Sequence, residues 1–454
     1  RRACIGGWSL MQGRTANTCP ICSCGIMPAM GILDSVPPPP ERRLALRVTP
    51  EAQRALRQGH PWLFDRAIVS QSAAGQPGDL AVIFDERRRF LAIGLYDPAS
   101  PIRVRVLQHS APATVDAAFF AGRLAAVADR RASLSAVGEG VRLVAGPTGE
   151  TTGYRLVHGE GDGLPGLVID RYERVLVVKL YTAAWLPYLP VLLEGLAGVA
   201  PADAVVLRLS RVVQREPAAL HGLADGVTLA GTLAPNPVIF RENGLRFEAD
   251  VLHGQKTGFF LDQRENRARV EGLAVGKETL NVFAYSGGFS LYAARGGAPA
   301  LVSLDLSAPA LAAARRNFEL NRDLPAVAAA RHELLLEDAF AALARLAEDG
   351  RRFGLVMVDP PAFAKQKSEI PVALRSYERL AGLALGVLRP GGTLIMASCS
   401  SRVSAGDFFA AVRRGAARAG RALHEFDHTG HPIDHPISFA EGAYLKCLYA
   451  KADA

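Results

Sequence analysis

Four apolar runs in the second half of the chain each end in a polar or reactive group. The first, LNVFAYSGGFS from Leu280 to Ser290, runs into a small-residue turn and then an Ala-rich segment. That is the pattern of a buried strand, a glycine loop and a helix start. Asn281, Phe283, Tyr285, Ser286 and Gly287 are its candidate ligand contacts, because Gly287 and Gly288 remove the Cβ atoms that would hold a ligand away. The second run, LVSLD, ends at Asp305, 22 residues after Phe283. This spacing suits a strand–loop–helix–strand unit whose acidic residue meets a ribose at the carboxyl edge of a sheet. The third, FGLVMVD, ends at Asp359 ahead of Pro360 and Pro361, and the fourth, TLIMASC, ends at Cys399. A further strand, LLLEDAF, is expected over Leu334 to Phe340 and carries Asp338.

The chemistry follows from what this set contains and lacks. The first loop has no GxGxxG and no P-loop lysine. A short glycine loop with acidic residues after the second and third strands suits a ligand with one ribose, one adenine and no pyrophosphate, namely S-adenosylmethionine. Asp305 would accept from the ribose hydroxyls and Asp338 from the adenine amine. Asp359 and Pro360 would sit where the methyl emerges, and Phe363 would stack on a flipped base beside Lys365. Cys399 then suggests a reaction. Carbon 5 of cytosine is a poor nucleophile until a thiolate adds to carbon 6, and that role calls for a cysteine of lowered pKa. Cys447, inside the run AYLKCLYA, reads as core.

The elements that position these groups alternate between strand and helix patterns from about residue 253 to the end, which implies a mostly parallel, doubly wound α/β sheet. Ser307 is the expected cap of one of its helices, and RPGG at 389–392 the turn into the strand before Cys399. HGQKTGFFLDQR at 253–264 lacks Walker spacing, so it reads as a loop closing over the cofactor through Lys256, Thr257 and Gly258, with a helix from about Asp262. Ahead of it lies a central α+β unit, about 113–252. It opens with a connecting helix at 114–135 and closes with a hairpin at Asn243-Gly244. Residues 41–112 hold short strand runs and turn residues, the pattern of a small β-barrel. There His60, Trp62 and Arg66 either contact RNA or, for the aromatics, fill a core, and Arg87 to Arg89 are either phosphate contacts or a solvated face.

Bulk properties narrow the classes. The chain has 454 residues, 49% of them hydrophobic, and a formal charge of +8. Arg far outnumbers Lys, which permits nucleic-acid binding and also follows from a GC-rich genome. No uninterrupted apolar run reaches membrane-spanning length. Four of the six cysteines (Cys4, Cys19, Cys22 and Cys24) crowd into the first 24 residues, which does not resemble a disulfide scaffold, so a reducing cytoplasm is expected. Cys19 to Cys24 is half a zinc site without a second half, and no metal is expected. Residues 1–40 read as a disordered or spurious extension, with Met30 or a nearby codon as a candidate start.

From about Leu44 onward, the stretches GHPWLF, YDPASPIRVRV, DGLPGLVIDRY, HGQKTGFFLDQR, NVFAYSGGFS, DPPAFAK, SCS and EGAYLK resemble the class I ribosomal RNA large-subunit methyltransferases that carry an N-terminal PUA domain. The resemblance implies a PUA domain, a central α+β domain and a Rossmann-like catalytic domain using S-adenosylmethionine. It also implies that the Gly59–Arg66 region touches RNA. Cytosine-5 members of the group modify 23S rRNA through a cysteine matching Cys399, whereas the guanine-N7 branch carries Asn there. The wider RNA cytosine-5 group has a second cysteine where this chain has Pro361, so Asp359 or a water would have to take the carbon-5 proton. The expected partner is 23S rRNA, free or in an assembling subunit, with a homodimer left open. Methylation of a base nitrogen and a non-catalytic RNA-binding assembly factor are the alternatives.

Overall fold

The computed structural model describes residues 31–135, 149–233 and 235–453, so the Cys19–Cys24 stretch lies outside the described residues. The first sheet has six strands, β1 (Arg43–Val48), β2 (Trp62–Phe64), β3 (Ile68–Gln71), β4 (Leu80–Phe84), β5 (Phe90–Tyr96) and β6 (Ile102–His109), in the order β2-β6-β5-β4-β1-β3. Its edge strands β2 and β3 are separated only by the turn Asp65–Ala67. Each residue of chain spans at most about 3.6 Å, so the sheet must curl to bring its two edges near each other, and this produces the barrel form. Leu44, Leu46 and Val48 alternate inward along β1. Helix α1 (Pro50–Arg57) starts at Thr49, whose side chain accepts from the Ala52 amide.

Helix α2 (Ala117–Ser135) is more than the expected connector. Phe120, Leu124 and Val127 are buried in one core with Ile93, Leu95 and Leu107 of the barrel and the inner face of the second sheet. That sheet runs β11-β10-β9-β8-β7, with β7 (Gly153–His158), β8 (Leu167–Tyr172), β9 (Val175–Leu180), β10 (Ala204–Leu209) and β11 (Thr228–Gly231). Only β9 and β10 are parallel, and α3 (Leu189–Val199) lies in the crossover between them. The hairpin β12 (Val238–Glu242) and β13 (Leu245–Ala249) turns at Asn243 and Gly244, both at positive φ. Its Phe240 and Phe247 share a core with Tyr172 of β8 and with the third sheet, described next, so it bridges the two.

The third sheet contains β14 (Thr279–Val282), β15 (Ala300–Asp305), β16 (Arg331–Leu336), β17 (Phe353–Val358), β18 (Leu388–Ser398), β19 (Leu423–Thr429) and β20 (Lys446–Ala452). Their order is β16-β15-β14-β17-β18-β20-β19; the first five are parallel, β20 is antiparallel to β18, and β19 is antiparallel to β20. The helices are α4 (Arg264–Leu273), α5 (Gly288–Arg295), α6 (Ala308–Leu320), α7 (Pro325–Ala329), α8 (Ala339–Glu348), α9 (Ile370–Gly386) and α10 (Ala405–Arg418). The chain leaves β14 toward β15 on one side and returns to β17 on the other. That reversal opens a crevice at the carboxyl ends of β14 and β17, the usual ligand site of such sheets.

Local boundaries differ from expectation in three places. β16 ends at Leu336, because Asp338 caps α8 by accepting from the Phe340 and Ala341 amides. α4 begins at Arg264, after the tight turn Leu261–Gln263. RPGG lies within β18, with Gly391 at φ 68° and a register shift opposite Phe353–Leu355. Ser307 caps α6 as expected.

Candidate active site

The crevice holds a cavity of about 320 Å³ walled by Asp305, Asp338, Asp359, Pro360 and Cys399, with Phe283, Tyr285 and Ser286 from the loop after β14. That loop is strained: Phe283 (φ 61°), Tyr285 (φ 48°) and Gly287 (φ 75°) are all left-handed. Asp305 pins it. One carboxylate oxygen accepts from the Tyr285 amide at 2.8 Å, and the other from the Ser307 amide at 2.9 Å. A carboxylate has about four acceptor positions, so capacity for a ligand remains. Leu306 stands beside it at the wall with 72% of its surface exposed. Acidic groups at one end, an exposed aliphatic side chain and a small-residue loop fit a ribose, an adenine ring and a neutralising cation, the parts of S-adenosylmethionine.

At the other end Asp359 accepts from Gln263 Nε2 at 2.8 Å. Burial and then the neighbouring Asp262 raise its carboxyl from 3.8 to about 7. Lys256 pairs with Asp262 at 2.5 Å, and its ammonium lies 4.5 Å from the centre of the Phe260 ring. Cys399 follows the last residue of β18 and is half-buried. Its thiol is pushed up to about 11, first by burial and then by Asp359. The expected lowered pKa is therefore corrected for the unliganded protein: two carboxylates and poor solvation oppose the thiolate, and Lys256, which favours it, is tied to Asp262.

A second cavity of about 470 Å³ adjoins the first and shares Cys399 and Lys256 with it. Its other walls come from all three sheets and their loops, including Trp62, Arg105, Lys179, Tyr181, Phe439 and Tyr444. Trp62 Nε1 donates to Glu160 at 2.8 Å, and its ring meets Phe439 edge-on at 4.8 Å. Cys447 is fully buried, as expected of core.

Several expected site residues lie elsewhere. Thr257 is buried and lines only the second cavity, donating to Asp170 at 2.5 Å. Gly258 is a turn residue at φ 132°, where a Cβ would come within 3.1 Å of Ala249. Asn281 is buried beneath the loop and donates to Ser290 at 3.0 Å. Gly287 faces α6 rather than the cavity, since a Cβ there would lie 2.8 Å from that of Ala314. Phe363 lines neither cavity, because its ring packs on Tyr377 at 5.1 Å against the core of the third sheet. Lys365 and Arg66 are exposed and line neither cavity. His60 is half-buried behind Trp62, accepting from its amide at 3.2 Å. Sequence reasoning passed over Gln263, Arg267, Leu306 and Glu337, which do line the first cavity. The first of these was within reach, since it belongs to the stretch read as closing over the cofactor.

Among the described residues no helix is long and apolar enough to cross a membrane. Residues 46–109 match the PUA-like domain family, and residues 154–450 match the S-adenosylmethionine-dependent methyltransferase family. The chain is 50% identical over 422 residues to the ribosomal RNA large subunit methyltransferase of Deinococcus radiodurans, covering 92% of this chain and all of the relative. It is 36% identical to the ribosomal RNA large subunit methyltransferase I of Pseudoalteromonas translucida, over 88% of this chain and 96% of the relative. In fold it is similar to a Streptococcus mutans chain described as a SAM-dependent methyltransferase, with a TM-score of 0.72 at 22% identity over 90% of this chain and 99% of that one. A methyltransferase structure complexed with SAH matches equally well, with a TM-score of 0.72 at 22% identity over the same 90% and 99%. Barrel, doubly wound sheet, ligand crevice and these likenesses agree: the chain belongs to the PUA-bearing S-adenosylmethionine-dependent methyltransferases, the family that includes the ribosomal RNA large subunit methyltransferases.

Proposed function

We propose that this chain methylates carbon 5 of a cytosine in 23S rRNA through a transient bond between Cys399 and carbon 6. The observation that carries the reading is the position of Cys399 on the wall shared by the two cavities. The first cavity is the cofactor's. Asp305 accepts from the ribose, the free oxygen of Asp338 accepts from the adenine amine, and Leu306 covers the ring. Bound S-adenosylmethionine supplies an electrophilic methyl group. The second cavity takes the swung-out cytosine, with Trp62, Tyr181 and Phe439 as aromatic walls and Arg105 and Lys179 as cations near the backbone. Lys365 and Arg66, both exposed, extend the RNA contact. The names of the relatives support large-subunit RNA as the substrate.

Cys399 gives its thiol proton to water as Sγ bonds to carbon 6, and the π pair of the 5,6 double bond moves to carbon 5, which becomes nucleophilic. Once carbon 5 has taken the methyl group, whose bond to the donor sulfur breaks to leave a neutral thioether, the carbon-5 proton leaves to a base. The double bond then reforms and the bond from carbon 6 to Sγ breaks, returning a thiolate that water reprotonates. Asp359, with its carboxyl near 7, is suited to take the carbon-5 proton. Residues 41–112 would hold RNA, 113–252 would carry the floor of the nucleotide cavity, and 253–454 would transfer the methyl group.

The raised thiol favours a second reading, in which Asp359 accepts from an exocyclic amine and a base nitrogen is methylated without an adduct. One experiment separates the two. 23S rRNA transcribed with 5-fluorocytidine cannot lose fluorine as a proton is lost, so it should remain covalently attached to the wild-type enzyme and not to Cys399→Ala. Full methylation by Cys399→Ala, with nucleoside mass spectrometry locating the methyl group on nitrogen, would reject the covalent route.

A further inference from the structure

Among the described residues, Lys256 and Cys399 alone line both cavities. Lys256 stands in the left-handed region at φ 55°, and the Lys179 ammonium, from the wall of the second cavity, donates to its carbonyl at 2.7 Å. Its own ammonium donates to Asp262 Oδ2 at 2.5 Å, and the Tyr444 hydroxyl, also of the second cavity, donates to the same oxygen at 2.9 Å. Asp262 lines the first cavity and is only 3% exposed. Burial opposes its charge, but Lys256 leads the groups that hold its carboxyl below the usual range. Its second oxygen, Oδ1, is buried without a hydrogen-bond partner among the described residues. A buried carboxylate oxygen without a donor is costly, and in a cavity wall its natural complement is a donor carried by the ligand.

We infer, on the carbon-5 reading above, that Asp262 is the residue that selects cytosine over uracil, with Oδ1 accepting from the 4-amino group of the base. Carbon 4 adjoins carbon 5, so its substituent lies beside the incoming methyl group, where the first cavity opens on the base, while Cys399 meets carbon 6. An ionised carboxylate can only accept. It fits the N–H of cytosine's amine and repels the carbonyl oxygen that uracil carries at the same place. Both donors that hold Oδ2 belong to the wall of the second cavity, which sets Asp262 toward the base and not the cofactor alone. Lys256 keeps the carboxylate charged. Its side chain is 33% exposed on a flexible stem, so it is the neighbour that yields as the amine approaches.

The test uses the full chain and two 23S rRNA transcripts, one natural and one with uridine in place of the cytidine that the wild-type enzyme methylates, located by nucleoside mapping. Methyl transfer from labelled S-adenosylmethionine is timed, and mass spectrometry identifies the nucleoside formed. Wild type should favour the cytidine transcript by about a hundredfold or more. Asp262→Asn can turn its amide either to accept from an amine or to donate to a carbonyl oxygen. It should lower the cytidine-to-uridine ratio of kcat/KM by about tenfold or more and yield 5-methyluridine, with calorimetric affinity for S-adenosylmethionine unchanged. A folded Asn variant that loses activity on both transcripts in equal proportion, or that loses cofactor binding, overturns the inference. If Asn does not fold, wild type still decides, since comparable rates on the two transcripts overturn it equally. A methyl group found on a nitrogen of the wild-type product would reject the carbon-5 reading and this selection with it. An unchanged ratio with 5-methylcytidine as product rejects the role of Asp262 alone.

Discussion

Asp359→Asn should make the unliganded protein more stable at pH 8 while impairing methyl transfer. Asp359 is ordinary when unfolded, near 3.8, and is raised to about 7 in the fold by burial and by Asp262. The folded state therefore holds a proton that the unfolded state has lost between those two values. Stability supplied by this group is complete below 3.8, falls as pH rises through about 7, and stays lost above it. The full rise corresponds to about 4 kcal/mol at most. Because the titration belongs to Asp359 and Asp262 together, about 1–3 kcal/mol is the expected share. Asn keeps an acceptor for Gln263 and removes the charge. Melting curves of wild type and variant, without cofactor, should coincide near pH 4 and separate progressively to pH 8, with the variant higher by several degrees. A variant that melts lower at every pH, or a difference that does not change with pH, would refute the assignment of a raised carboxyl and with it the choice of Asp359 as base.

Asp305→Asn should weaken S-adenosylmethionine binding about 10- to 100-fold by calorimetry, the range for hydrogen bonds to a charged group, with little change in the circular dichroism of the apoprotein. Trp62→Phe keeps the aromatic wall but loses the bond to Glu160, so it should lower RNA adduct yield severalfold and leave cofactor affinity unchanged. Asp434→Asn should destabilise the fold by about 3–5 kcal/mol in denaturant titrations, since it leaves the buried Arg264 guanidinium without its bidentate partner. RNA affinity should fall steeply between about 50 and 200 mM salt if phosphates carry the binding, and a flat salt response would rule that out.

What the sequence made legible was whatever local periodicity controls. Asp305, Asp359 and Cys399 end apolar runs, and a parallel sheet brings the ends of its strands to one edge, so their convergence on one cavity could be read from spacing. The hairpin at Asn243-Gly244 was legible for a similar reason: its turn chemistry is local. Thr257 and Phe363 were misread because their fate is decided by partners far away in the chain, Asp170 for one and Tyr377 for the other. Lys446 gave no signal, as nothing local separates a lysine at the start of a strand from one whose ammonium reaches the carbonyls of the turn after Cys399. The thiol's environment was also hidden. A low pKa was assumed from the reaction, whereas burial and two carboxylates set a high one.

The high resting pKa has a physical source that bears on how the site is assembled. The second cavity lies where three sheets meet, and buried ion pairs join the central and third of them beside it. Arg131 of α2 grips Asp162, Arg155 of β7 grips Asp170, and Arg264 of α4 grips Asp434. Asp434 also accepts from the Arg155 amide at 2.9 Å, and its backbone carbonyl accepts from Arg131 at 3.0 Å, so one residue ties both sheets and the connecting helix. Burial works against the Asp434 charge, but Arg264 and His435 hold its carboxyl well below the usual range. Such pairs add little net stability over apolar packing, but they tolerate almost no misalignment. In the proposed reaction, a nucleophile and a methyl donor that approach one pyrimidine from two cavities need that alignment more than they need stability. The same dry junction that fixes the geometry withholds solvent from Cys399. If Cys399 is the nucleophile, as proposed, a sulfur kept protonated until substrate arrives is the electrostatic consequence of placing it where three units close on one cavity.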